Sequence, residues 1–456
     1  MTDPDRMRFE LDDRIDQTLT TAHAGVPLVI ELFRSCGAAR VMDERVAVKQ
    51  RKRGLTSAQI AESFFSLWIA GGERCEDLER LREDRALAEL LGHDLPSVTV
   101  ARDFLSAFHD EDLPLLQAGE KSSVPAESDL LTGLAAVREK IVSHLQQVQP
   151  SKTATLDLDA TILECDKRSA KQTYDGRRGY QPTLVLWAEQ DAILAEEFRD
   201  GNVPAGSGNL RVLKKALAAL PAGVEQVLLR SDSAAYEHKL LEYAQAQGIG
   251  FAISARISPD LLKAITALPE AVWQTDAQQT GALHQWAEVE FFPDDSQSPQ
   301  PYRYLAIRVL KQQGNLFGDG SDRRHFCIVT NRAGDGLELI RWHRGKAGTI
   351  EHVHDILTNE LAAEALPSQK FGANAAWLRL NIITYNLLTA FKRVALPEEF
   401  KTARPKKLRF LLFNTVGRVI RHARETLLRL TSAPVRTLFD AARVRIHAQP
   451  RLLAVV

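Results

Sequence analysis

Thr153-Ala-Thr-Leu-Asp-Leu-Asp159 is the stretch on which the fold turns. Apolar and polar residues alternate along it, which is the period of a β-strand, and the same period puts Asp157 and Asp159 on one face. Pro182-Thr-Leu-Val-Leu-Trp187 reads as a second strand and Ala192-Ile-Leu-Ala195 as a third. A helix is expected from Leu210 to Leu220, stopped by Pro221, followed by the strand Glu225-Gln-Val-Leu-Leu-Arg230 that runs into Asp232. Ala234 to Gln247 is helical up to Gly248, and Gly250-Phe-Ala-Ile-Ser254 is again a strand. Strands alternating with helices predict a mixed α/β sheet domain.

Outward from this centre the character of the chain changes on both sides. Residues 1–150 read as a helical N-terminal region, with helical apolar spacing in Ser57–Trp68 and Pro96–Phe108 and a charged helical run from Asp77 to Leu91. Gly54-Leu-Thr-Ser57 fits the opening of a helix-turn-helix, so a DNA-binding domain and a plain helical bundle are both consistent with the pattern. After the core segment 151–255, residues 256–340 turn β-rich, with His284–Phe292, Tyr302–Leu310 and His325–Thr330 separated by the turn-rich runs Pro293–Pro299 and Gly318–Asp322. Helical periodicity resumes in 341–395, over Ile350–Leu361 and Ala373–Val394, so the β-rich block reads as an insertion in the α/β domain. The last segment, 396–456, is predicted to be a basic helical tail.

Composition excludes several classes. A chain of 456 residues with 45% hydrophobic and 26% charged residues is soluble and globular in type, with two or three domains. No run of about 18 apolar residues suggests a membrane span, and the acidic start Met1-Thr2-Asp3-Pro4-Asp5 lacks a signal-like apolar segment. Cys36, Cys75, Cys165 and Cys327 are scattered, which predicts neither a disulfide framework nor a zinc site and fits the reducing cytoplasm. The formal net charge is only −1, yet Lys401 to Arg451 holds 13 Lys or Arg against Glu425 and Asp440. Such a basic segment attracts polyanions, nucleic acid first, unless it is merely a solvated tail.

Three acids stand out by position. Asp159 and Asp232 each end an apolar strand, where a side chain is held rigidly at a sheet edge, and Glu351 opens a helix with Asp355 one turn further on. Carboxylates are the hard ligands that Mg²⁺ requires, and three of them gathered together suit two Mg²⁺ ions about 3.5–4 Å apart for phosphoryl transfer. Mn²⁺ is the expected substitute. His352 and His354 are splayed by their spacing and make a poor zinc pair, so they read as DNA-facing or surface residues.

The acids sit inside an ordered set of words: Leu156-Asp-Leu-Asp-Ala-Thr161, Tyr174-Asp-Gly-Arg-Arg-Gly-Tyr-Gln-Pro182, Phe198-Arg-Asp-Gly-Asn-Val-Pro204, Arg230-Ser-Asp-Ser-Ala-Ala-Tyr236, Gly348-Thr-Ile-Glu-His-Val-His-Asp355 and Phe371-Gly-Ala-Asn-Ala-Ala-Trp377. Together they resemble the DDE transposases of bacterial insertion sequences, and closely the insertion-sequence-1380 family, over nearly the whole chain. The resemblance implies a ribonuclease-H-like core with a β insertion before the last acid. It also implies Mg²⁺-dependent cut-and-paste transposition and catalytic, metal-binding Asp159, Asp232 and Glu351, with Asp157 the alternative first acid. Double-stranded DNA (terminal inverted repeats and target) and a homodimer on that DNA are the implied partners, in a cytoplasmic, nucleoid-associated protein. The chain departs from the pattern where relatives carry Tyr, Arg and Lys around the last acid and it has Arg344, Ala347 and Thr358. Arg344 and Lys346 are the candidates to supply the missing phosphate-binding charge, with Arg177, Arg178, Arg199 and Lys214 as further contacts. Trp273 and Trp286 fall in the insertion, where related enzymes stack a flipped base; core packing is the competing role.

Two other readings compete. Asp157-Leu-Asp159-Ala-Thr161 also fits the strand signature of haloacid-dehalogenase-like phosphatases, with Asp157 as nucleophile and Asp159 as acid/base. That reading leaves Glu351 and the basic segment without a role, and no apolar strand leads into Gly318–Asp322, its late acidic motif. The second is a transposase-derived protein that binds DNA without cutting, for which the three retained acids give no sign.

Overall fold

Thr153–Ala160 (β1) is an interior strand of a sheet with nine strands among the described residues. Leu156 and Leu158 are fully buried on one side, and Asp157 is as inaccessible on the other. The computed structural model describes residues 18–48, 53–118, 122–276, 282–293, 302–311, 323–422 and 425–449. Gly318–Asp322 and most of Pro293–Pro299 lie outside them.

Thr183–Trp187 (β2) pairs antiparallel with β1, and Ala192–Glu197 (β3) pairs antiparallel with β2. On the other side, Gln226–Ser231 (β4) lies parallel to β1 and Gly250–Ser254 (β5) parallel to β4. The expected strands are therefore present, and their near-continuous apolar runs follow from burial on both faces. The short strand Gln274–Thr275 (β6), then Ala282–Val289 (β7), Arg303–Lys311 (β8) and Arg323–Thr330 (β9), form an antiparallel meander. β9 pairs with β5, so the β-rich block continues the core sheet instead of standing apart from it. The full order is β6-β7-β8-β9-β5-β4-β1-β2-β3.

The helices around the sheet meet across the whole length of the chain. Val26–Ser35 (α1) and Ser57–Ala70 (α2) belong to the N-terminal region, α2 opening on a capping box between Thr56 and Gln59. Asp77–Leu91 is split at Asp84, which caps a second short helix by accepting from the Leu87 N–H. Asp129–Val148 (α3) packs on β3, and Asn209–Ala218 (α4) on β2 and β3. Gly336–Arg344 (α5) lies on β5 and β7, while Ile350–Glu360 (α6) reaches β1. Phe371–Val394 (α7) is buried along nearly all its length, polar residues such as Asn374, Arg379 and Asn386 included, and packs against α1, α2, α3 and β3. Trp377 on α7 meets Trp68 on α2 edge to face at 4.8 Å. One hydrophobic cluster runs from Ala24 to Ile446, without a break in packing near residue 150.

Polar chemistry ties the same helices to the sheet. Glu196 on β3 accepts from Arg138 on α3 and from Arg379 on α7, all three nearly inaccessible to solvent. Arg379 also holds Glu127 at 3.0 and 3.1 Å, and Lys215 on α4 reaches the same carboxylate at 2.7 Å. Burial alone would raise Glu127, but these two cations keep it well below the usual carboxylate range.

The basic C-terminal segment is folded and only partly helical. Gly417–His422 and Glu425–Leu430 form a hairpin, and its first strand pairs with Thr20–Thr21 at the other end of the chain. Ala433–His447 (α8) packs on α1, where Arg443 and His447 meet Glu31 at 2.9 and 2.8 Å. Arg421 pairs with Glu89 and Arg404 with Glu360. Part of the expected polyanion-binding charge is therefore spent inside the fold, on acids too distant in sequence to be seen as its partners.

Candidate active site

Parallel pairing of β1 with β4 sets Arg230 opposite Asp157 and Ser231 opposite Leu158. One step further, beyond the end of the ladder, Asp159 and Asp232 come out side by side. The two acids of β1 have different surroundings. Asp157 takes a bidentate pair from Arg230, at 2.6 and 2.8 Å, and a further hydrogen bond from the Thr349 hydroxyl. Arg230 also donates to the Trp342 carbonyl at 2.8 Å and lies over the Trp342 ring. Asp157 is thus a fully paired buried acid that joins β1, β4 and the start of α6.

Asp159 has one charged partner, the Lys346 ammonium at 2.9 Å from Oδ2. Burial pushes the Asp159 carboxyl above its ordinary range, against the pull of Lys346. Asp232 is pushed the same way, by burial first and by the neighbouring Asp159 second, although it accepts the Ala234 N–H at 2.9 Å. Two desolvated, mutually repelling carboxylates at adjacent strand ends are short of positive charge. Their hard oxygens fit a divalent cation.

Glu351 does not join them. It lies exposed in the first turn of α6, and among the described residues no three His, Cys, Asp or Glu side chains gather around one point. The expected triad is present here as a pair plus a distant third acid. Lys346 comes from the tight turn Gly345–Gly348 that joins α5 to α6, five positions before Glu351 in the sequence.

The other candidate contacts divide by burial. Arg177 and Arg178 are exposed, Arg177 pairing with Asp175 at 2.6 Å. Arg199 is inaccessible, its guanidinium donating to the carbonyls of Gln181 and Ser207. Trp286 is likewise a core residue, packed in a cluster with Leu305, Ile307 and Leu339. Trp273 is buried beneath the Arg308 guanidinium. Arg344 faces Asp276 at 3.3 Å, and Lys346 faces Asp159, so neither is a free phosphate ligand in this arrangement. Lys214 lies over the Tyr243 ring.

Two histidines emerge that the sequence pattern did not assign to the site. His343 donates from Nε2 to the Ser231 carbonyl at 2.9 Å, next to Asp232, and burial lowers it to about 4. His354 is half-buried: burial, with Lys346 adding to it, lowers it to about 3, and its Nε2 has no hydrogen-bond partner among the described residues. Both rings are neutral at physiological pH. Only the fold brings α5, α6 and the end of β4 together, so no local spacing marked them.

The model of the family described as transposase DDE domain, group 1, matches residues 15–451. No curated protein matches the chain. Among solved structures, the chain is similar to the piggyBac transposase of a synaptic complex with hairpin DNA determined by cryo-electron microscopy. Identity there is 11%, with 85% of this chain and 79% of that chain covered and a TM-score of 0.44.

Proposed function

The chain belongs to the DDE transposase family, and from that premise we propose that Asp159 and Asp232 are its metal-binding acids, with Glu351 the third. The protein is a DNA transposase, an enzyme that cleaves and joins DNA with divalent metal ions. The observation that carries the assignment is the meeting of Asp159 and Asp232 at neighbouring strand ends, both raised above the ordinary carboxylate value by burial first and, at Asp232, by the neighbouring Asp159 second. Asp157 is set aside as first acid because Arg230 and Thr349 already occupy its oxygens. The order β3-β2-β1-β4-β5, with β1, β4 and β5 parallel, supports a ribonuclease-H-like core carrying the meander as its insertion. The ordered sequence words favour the insertion-sequence-1380 group.

The reaction is in-line displacement at phosphorus. Hydrolysis at the element's end leaves a 3′ hydroxyl, and that hydroxyl then attacks a target phosphodiester, one P–O bond forming as another breaks. Asp159 and Asp232 would hold Mg²⁺, with Mn²⁺ as substitute, and the bound ion would supply activation of the attacking oxygen and charge neutralisation at the leaving one. Asp159 and Asp232 provide the carboxylates, β1 and β4 hold them rigid, and the Asp157–Arg230 pair fixes the register between the strands. Positioning and charge neutralisation dominate phosphoryl transfer, so no protein nucleophile is needed. Cut-and-paste movement requires two synapsed ends, hence a homodimer on DNA.

Purified protein is expected to cleave inverted-repeat ends with Mg²⁺, and Asp159→Asn is expected to lower that rate about a thousandfold or more while DNA binding persists. Cleavage that survives in Asp159→Asn and disappears in a folded Asp157→Asn protein would transfer the role to Asp157.

A further inference from the structure

Lys346 is 7% exposed, yet lysine is rarely buried without a reason. Its ammonium stands 2.9 Å from Asp159 and acts electrostatically on Asp232, His343 and His354 as well. Of these four neighbours, two are acids and two are neutral rings. Among the described residues nothing else around the carboxylate pair carries a comparable positive charge: Arg230 is committed to Asp157 and Arg344 to Asp276. A single flexible lysine therefore stands where a divalent cation would have to bind.

We propose that Lys346 is the resident counter-ion of the metal-free site, keeping Asp159 and Asp232 together until a divalent cation displaces it. The proposal rests on the reading of those two acids as metal ligands. The turn Gly345–Gly348 that carries Lys346 runs directly into α6, which carries Glu351. Withdrawal of the lysine and approach of Glu351 are then one movement of one turn, which accounts for a third acid that lies exposed while Lys346 is seated. The ammonium, once released, is free to meet a DNA phosphate. Lys346 so described is a positioning residue for the metal site.

The test uses Mn²⁺ as probe and the full chain without DNA. Binding is followed by the loss of the free-Mn²⁺ paramagnetic resonance signal, and stability by thermal melting with and without Mn²⁺. Lys346→Gln is expected to bind Mn²⁺ about tenfold more tightly, because a nearby like charge is gone. It should melt below wild type when metal-free and regain the wild-type melting point when Mn²⁺ is saturating. Lys346→Arg should behave as wild type. Unchanged or weaker Mn²⁺ binding by Lys346→Gln, or an equal loss of melting temperature in both conditions, would reduce Lys346 to a structural role. Should Lys346→Gln not fold, amine acylation of the wild-type chain decides: Mn²⁺ should expose Lys346 to the reagent, and unchanged protection overturns the proposal. If wild type binds no Mn²⁺, or Asp159→Asn binds it equally well, the fault lies in the two-acid reading and not in Lys346.

Discussion

Two of the buried clusters of charge differ in how completely each is neutralised. In the cluster where α3, α4 and α7 meet β3, Arg138, Arg379 and Lys215 face Glu196 and Glu127, and every carboxylate has two cationic partners. At the ends of β1 and β4, Asp159 and Asp232 share one lysine. Glu127 is held below its ordinary range, whereas Asp159 and Asp232 are pushed above theirs. The first cluster supports the fold. The second is costly to the isolated fold, as expected of groups arranged to receive something. Asp157 makes the same point within one strand: two residues from Asp159, it is fully paired.

The contrast predicts effects of opposite sign. Arg379→Met should be the most damaging change, since it removes partners from Glu196 and Glu127 together. A loss of about 3–5 kcal/mol is expected in chemical unfolding, and a loss below 1 kcal/mol would mean that this network is not structural. Asp232→Asn should instead raise the metal-free melting temperature, by about 1–3 °C, while abolishing cleavage. A carboxyl whose folded pKa is raised binds its proton more tightly in the folded state. Its stabilising contribution is therefore complete below the unfolded value near pH 4 and is lost as pH rises through the raised folded value. The gain from Asp232→Asn should accordingly be present at pH 7 and vanish below about pH 4; a gain independent of pH would point to packing instead. The smallest effect is expected at the rim. Arg443→Ala breaks an exposed pair with Glu31 and should cost about 0–1 kcal/mol, less in high salt. A larger loss would make the C-terminal helix a structural anchor through its charge, beyond its packing.

Much of the sheet was legible because burial writes itself into local sequence. The alternation in Thr153–Asp159 and the apolar runs at Pro182–Trp187 and Glu225–Arg230 correspond to β1, β2 and β4. What local pattern cannot express is pairing at a distance. β9 was recognisable as a strand, but its attachment to β5 was not. The charge of the C-terminal segment was plain, while its partners Glu31, Glu89 and Glu360 lie far away in sequence. Asp159 and Asp232 stood out as candidates because each ends an apolar strand inside one of the ordered sequence words. His343, His354 and the seating of Lys346 depend on how α5, α6 and β4 converge, which no spacing encodes. Arg199 and Trp286 look like ligand-binding residues by type, and their burial is visible only in the fold.

The pairing of Thr20 with Arg418 sets an order on the birth of the protein. A ribosome adding about 5–20 residues per second needs about 20–80 s to travel from the first partner to the second. Through that interval α1 lacks the helix that covers it and Thr20–Thr21 lacks its strand. β1 and β4 lie between, so they are synthesised well before the two ends meet. A messenger cut short ahead of residue 417 thus yields a chain that holds β1 and β4 but leaves its seam open. Such a product is exposed to proteolysis at the N-terminal helices, and the cell is left with whole transposase or little at all.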